Sequence, residues 1–143
     1  MTPGRPVMWL PVPGYAGLYE VSGDGAVRSL DRDEIITGSR AGVRRRRGRT
    51  LRQFTLKTSP YLCVRLSKDG IARTRTVHTL VLEAFSGPCP EGMESRHLNG
   101  RHRDNAAANL AWGTPSENTQ DQVLHGTHRG LRQNRRRRQL ACA

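Results

Sequence analysis

The chain is short of aromatic residues, at 5%, and of apolar residues in general, at 35%. Both values are low for a compact enzyme, so its 143 residues can bury one modest core with at most a small appended subdomain. Scarce aromatics also count against an RNA-binding surface built on base stacking. Cysteine is limited to Cys63, Cys89 and Cys142, far apart and with no CxxC pair. That pattern argues against a zinc ribbon and a disulfide framework, and no structural zinc is expected. No apolar run reaches transmembrane length, and the opening MTPGRPVMWLPVPG breaks its short apolar stretch with Pro, unlike a signal peptide. The expectation is a soluble cytoplasmic protein with no membrane role. No internal repeat is present.

Negative charge is the other scarcity. Twelve Asp and Glu stand against 24 Lys and Arg, a net +12 carried almost wholly by Arg. This balance favours a polyanionic partner, with nucleic acid the first candidate. An anionic membrane is disfavoured, because the basic runs are not interleaved with apolar residues at helical spacing. The stretch GSRAGVRRRRGRTLR holds seven Arg and three Gly, and residues 38–53 read as a flexible basic loop. Arg44, Arg45, Arg46 and Arg47 are its phosphate-binding candidates, since clustered Arg is costly to keep together without an anion. A solvated charge run is the alternative.

Around that loop the chain looks ordered. In residues 7–37, YEV and VRSL are strand-like runs joined by the Ser22-Gly23-Asp24-Gly25 turn, a small β-hairpin module. Residues 54–128 form the larger unit. FTLKT, YLCVRLSK and RTRTVH alternate, with Asp69-Gly70 as a hairpin turn and Leu62, Val64 and Leu66 on one face. HTLVLEAF changes to helical period and stops at Gly87-Pro88. Met93–His97 and Asn109–Trp112 read as strands around a polar loop. Thr114, Pro115 and Glu117 then predict a capped helix ending near Gly126, so residues 93–125 make a ββα unit. Residues 129–143 form a basic tail with little reason to fold alone. The fold class is α+β.

Phosphodiester hydrolysis needs an activated water, in-line geometry and a cation for the leaving oxygen. A ββα unit can supply them. His97, at the end of the first strand, is the candidate general base, its ordinary pKa lying near neutrality. Asn109 could orient that imidazole or pin the loop. Asn118, in the first turns of the helix, could offer its carbonyl oxygen to a divalent ion. Arg101 and Arg103 add positive charge in the loop. His78 is expected to be structural, with a bond to a backbone carbonyl as one option. His102 is expected to face solvent or phosphate. His125 lies about 10 Å along a helix from Asn118, so neither it nor His128 receives a role.

VHTLVLEAF, RHLNG, DNAAANLAWGTPSEN and HGTH, in this order, resemble the HNH homing-type endonucleases of phages and mobile elements. WLPVPGYAGLYEVSGDGAVRSL is similar to the nuclease-associated module that often precedes that core, so the resemblance spans roughly residues 9–128. It implies cleavage of double-stranded DNA that depends on one Mg²⁺ or Mn²⁺ ion, nicking if the chain acts as a monomer; a monomer or weak dimer with no protein partner is expected. It makes His97 the base, Asn109 the structural Asn and Asn118 a metal ligand. Asn105 falls in the Asn-rich loop, and Trp112 is the aromatic packing the second strand on the helix.

Some members of that family carry Asp immediately before the base, sharing the metal, and an acidic residue in the turn after it. Here these positions are Arg96 and Asn99. A unit charge about 5 Å from a divalent ion, at an effective dielectric of ~20, repels it by roughly 7 kcal/mol. Arg96 is therefore expected to face away from any ion, toward a DNA phosphate, as strand alternation from His97 permits. Asp121, three residues after Asn118 and on its helix face, is the expected replacement ligand. The alternative to a nuclease is a DNA-binding protein on a decayed scaffold of the same kind.

Overall fold

A computed structural model describes residues 6–126. The expected tail, and His128, lie outside the described residues. The chain forms β1 (Trp9–Pro11), β2 (Tyr19–Ser22), β3 (Val27–Ser29), β4 (Arg32–Ile36), β5 (Gly42–Arg46), β6 (Phe54–Thr55), β7 (Leu62–Lys68), β8 (Ile71–Thr76), α1 (Val77–Ser86), β9 (Glu94–His97), β10 (Leu110–Gly113) and α2 (Pro115–Leu124). Among these residues the pairings are antiparallel, in sheets ordered β1-β2-β3, β4-β5, β6-β7-β8 and β10-β9.

Helix α1 is the hub. Val77, Leu80 and Val81 are wholly buried and share one core with Val12, Val21 and Val27 of the N-terminal module, Val64 and Leu66 of β7, and Leu110 of β10. Leu66 and Val64 point inward while Arg65 between them is exposed, as period-2 alternation requires. Cys63 departs from that pattern, being buried on the other face. Asp69 and Gly70 both take positive φ, the conformation of a tight hairpin turn whose twist matches its strands. Each fully buried aliphatic side chain contributes roughly 1.5–3 kcal/mol, so the single core gains most from α1.

Residues 38–53, expected as a flexible loop, are largely ordered. Gly42–Arg46 is a strand paired with Arg32–Ile36, in the register Asp33↔Arg45 and Glu34↔Arg44. The physical reason is charge complementarity across the ladder. Arg46 meets Glu34 at 2.9 Å, and Arg45 meets Asp33 at 3.5 Å and Asp31 at 3.8 Å. Paired opposite charges replace the self-repulsion that would keep an Arg run open. After β5 the chain turns back along β3: Ser29 and Leu51 donate backbone bonds to Arg49 and Val27. Gly48 is required there, because a Cβ would stand 2.3 Å from the Ser29 carbonyl oxygen.

Candidate active site

The expected ββα unit is present. β9 and β10 pair in the register His97↔Leu110 and Arg96↔Ala111. Thr114 caps α2, its hydroxyl accepting from the Glu117 amide while the Glu117 carboxylate accepts from the Thr114 amide at 2.8 Å. Pro115 occupies the first helical turn, where its missing N–H costs nothing. Trp112 packs against the core and donates its indole N–H to the Gly87 carbonyl at 3.1 Å.

His97 and Arg96 project to opposite sides of the hairpin. On the His97 side the imidazole is 9% exposed and sits among Tyr61, His78 and His102. Tyr61 stacks nearly parallel to it, at 5.9 Å between centroids. Its Nε2 lies 2.9 Å from Asn105 Oδ1. The amide oxygen can only accept, so Nε2 carries the proton and Nδ1 keeps the lone pair. Burial holds the His97 pKa below its ordinary value, the nearby His102 adds to that, and the Asn105 bond and Asp104 oppose it. The ring is thus neutral at pH 7, the form a general base needs. His78 is pushed down to about 4, first by burial and then by its two histidine neighbours. It makes no hydrogen bond to a backbone carbonyl among the described residues. Instead His78 Nδ1, His102 Nδ1 and Asn105 Nδ2 are buried without partners there. His102 is half-buried and joins this cluster through its ring.

Of the two roles expected for Asn109, orienting the imidazole or pinning the loop, it takes the second. It makes no hydrogen bond to the His97 ring among the described residues. Its carbonyl accepts from the Asn99 amide at 2.9 Å, and its Nδ2 donates to Asn99 Oδ1 and the Asp104 carbonyl, so it pins the loop. Asn105, expected to be structural, holds the imidazole. What places it is the N-terminal module: Ala107 donates to the Gly23 carbonyl at 2.8 Å, and a Cβ on Gly25 would stand 2.9 Å from Asn105 Cβ. The SGDG turn was visible in the sequence as a turn, but nothing local linked it to residue 105.

The other side of the hairpin overturns two expectations. Arg96 faces helix α2 rather than outward. Its Nε and Nη2 grip the two Asp121 oxygens at 2.7 and 3.1 Å, and Nη1 stands 3.6 Å from Glu117. Both side chains are mostly buried, at 17% and 19% exposed. The Arg96 guanidinium holds the Asp121 carboxyl below its usual range, and Asp121 in turn raises Arg96. Asp121 is therefore spent on an ion pair and is not free to ligate an ion. Asn118 donates its amide N–H to Glu94, on the same face. It lies on the opposite side of the hairpin from His97. His125 bonds the Leu98 carbonyl at 2.9 Å and packs on Gly100.

Arg101 and Arg103 are exposed beside the His97 loop, and Arg44 and Arg47 are exposed at the β4–β5 hairpin. Arg45 and Arg46 carry acidic partners, which lowers their share of any phosphate grip.

A two-stranded hairpin closed by a capped helix, with an anchored histidine ending its first strand, is the ββα arrangement expected from the sequence. Comparison with known proteins finds relatives. Residues 8–67 match the NUMOD4 motif and residues 75–120 match the HNH endonuclease family. The chain is 31% identical over 119 residues to the DNA endonuclease I-HmuI of Bacillus phage SP01, covering 83% of this chain and 59% of that protein. It is 32% identical over 116 residues to an uncharacterized HNH endonuclease of Acanthamoeba polyphaga mimivirus, covering 80% of this chain and 25% of that one. A solved structure of DNA binding and cleavage by the HNH homing endonuclease I-HmuI superposes with a TM-score of 0.66 at 30% identity, over 85% of this chain and 60% of the other. The chain is homologous to the phage homing endonuclease I-HmuI, with its NUMOD4 match ahead of its match to the HNH endonuclease model, and spans about three fifths of that relative's length.

HNH endonucleases generally use a divalent metal ion. The oxygens here do not fit one. Among the described residues no group of three or more His, Cys, Asp or Glu is placed to hold a metal. The α2 carboxylates Glu117 and Asp121 pair with Arg96 instead, Asp121 at both oxygens.

Proposed function

We propose that the chain is a DNA endonuclease that hydrolyses phosphodiester bonds, nicking double-stranded DNA, with His97 as general base. The observation that carries this reading is the anchored imidazole. Asn105 fixes its tautomer, burial keeps it neutral, and Nδ1 is left basic. The polar atoms of Asn105, His78 and His102 around it are buried without partners, and a water within the cluster would satisfy them. The exposed Arg101 and Arg103 flank the same loop and would grip the backbone on either side of the scissile bond. With Arg44 and Arg47 they make binding fall steeply as salt rises. Mg²⁺ or Mn²⁺, the ions expected from the sequence, have no ready site, and no step is assigned to them.

The non-catalytic reading is favoured by one observation, the guanidinium standing among the β9–α2 carboxylates. Supercoiled plasmid separates the two. Incubated with the protein in Mg²⁺ or Mn²⁺, beside an EDTA control, plasmid should convert to the open-circular form, and His97→Ala should abolish the conversion. Plasmid that is retarded on a gel yet intact in all three conditions would establish the binder instead.

A further inference from the structure

The side of the hairpin opposite His97 gathers charge of both signs. Glu94 and Arg96 share one strand face, and α2 brings Glu117, Asn118 and Asp121 onto it. Glu94, Glu117 and Asp121 carry hard oxygens, the donor type that divalent cations take, although among the described residues no three such groups are placed to hold one. What stands between Glu117 and Asp121 is a side chain. Arg96 meets Asp121 in the bidentate geometry that matches guanidinium to carboxylate, and reaches Glu117 as well. The strand opposite has been cut back to admit it. Gly113 does not have positive φ, so its backbone does not require glycine, but a Cβ there would lie 2.2 Å from Arg96 Cδ and 3.0 Å from Nη1.

We propose that Arg96 is a built-in cation that closes this carboxylate face to divalent ions. It neutralises the charge that an ion would otherwise neutralise, and it seats α2 on the hairpin as an ion bridging strand and helix would. The Arg96–Asp121 pair, the Glu117 contact and the missing side chain at 113 form one device. Its consequence is that the unit keeps its fold and its hold on DNA without divalent ions. The inference concerns ion binding and stands whether or not the chain cuts DNA.

The test uses the full chain and Mn²⁺ alone as probe, read by electron paramagnetic resonance of free Mn²⁺ and by thermal unfolding. Wild-type protein should leave millimolar Mn²⁺ unbound and unfold at the same temperature in Mn²⁺ and in EDTA. Arg96→Asp should bind one Mn²⁺ at least tenfold more tightly than wild type and gain thermal stability from it. If Arg96→Asp does not fold, Arg96→Gln, which removes the charge without adding another, should show the same direction. One Mn²⁺ bound by wild type, or variants that bind no better than wild type, would overturn the proposal. Absence of plasmid cleavage in every condition would count against the nuclease reading alone.

Discussion

Gly113→Ala is a one-carbon perturbation whose cost can be worked from the structure. The new Cβ would sit 2.2 Å from Arg96 Cδ, 3.0 Å from Nη1 and 3.0 Å from Glu117 Oε2. Carbon atoms pack at about 3.5–4 Å, so the Arg96 stem must move by more than an ångström. It cannot do so freely, because its head is held at 2.7 and 3.1 Å by Asp121. Keeping the ion pair costs the strain of overpacking, about 1–3 kcal/mol. Releasing it loses charge-assisted bonds worth about 1.5–3 kcal/mol, little discounted because both partners are mostly buried. Either route predicts about 2 kcal/mol, a fall in Tm of roughly 6–10 °C for a chain of this size. Urea unfolding followed by circular dichroism measures it. The same substitution in an Arg96→Ala background should cost under ~0.5 kcal/mol, since only the 3.0 Å approach to the movable end of Glu117 remains and Ala suits a strand better than Gly. Equal costs in the two backgrounds would refute the account of Gly113 as room made for Arg96.

Two further outcomes follow from the His97 side. Asn105→Asp puts a carboxylate against Nε2, favours the imidazolium and raises the His97 pKa, so the pH–rate profile of plasmid nicking should move to higher pH by about a unit or more; an unmoved profile would show that His97 is not the base. His78, at about 4 when folded against 6.5 when not, takes its proton first in the unfolded chain. Its contribution is full above about pH 6.5 and is lost as pH falls toward 4, at 1.36 kcal/mol per pH unit a loss of about 3 kcal/mol. The urea midpoint should drop accordingly between pH 7.5 and 4.5 and drop much less in His78→Gln; parallel curves would show that His78 is not the acid-sensitive group.

Local chemistry was legible in the residues. TPSE announced the capping box of α2, Asp69-Gly70 the β7–β8 turn, and the change of period at HTLVLEAF the helix on which the core is built. His97 was legible as well, from its place at a strand end before an Asn-Gly turn. Each of these signals involves residues within one or two turns of chain, where propensity and hydrogen-bond geometry act directly.

What the tertiary structure decided were pairings across sequence distance. The Arg run became a strand because DRDEII lay opposite it with complementary charge, a match between two segments that each look unstructured alone. Asn105 rather than Asn109 came to hold His97 because Gly25, some 80 residues earlier, lets the N-terminal module press against residue 105. Alternation along β9 correctly placed Arg96 and His97 on opposite faces, since that depends only on the pleat. Which face α2 would cover depends on packing between elements, and the helix closed over Arg96. The residue expected to reach for DNA is thereby the cation at the centre of the helix–hairpin contact, and Asp121, expected to hold a metal, holds it.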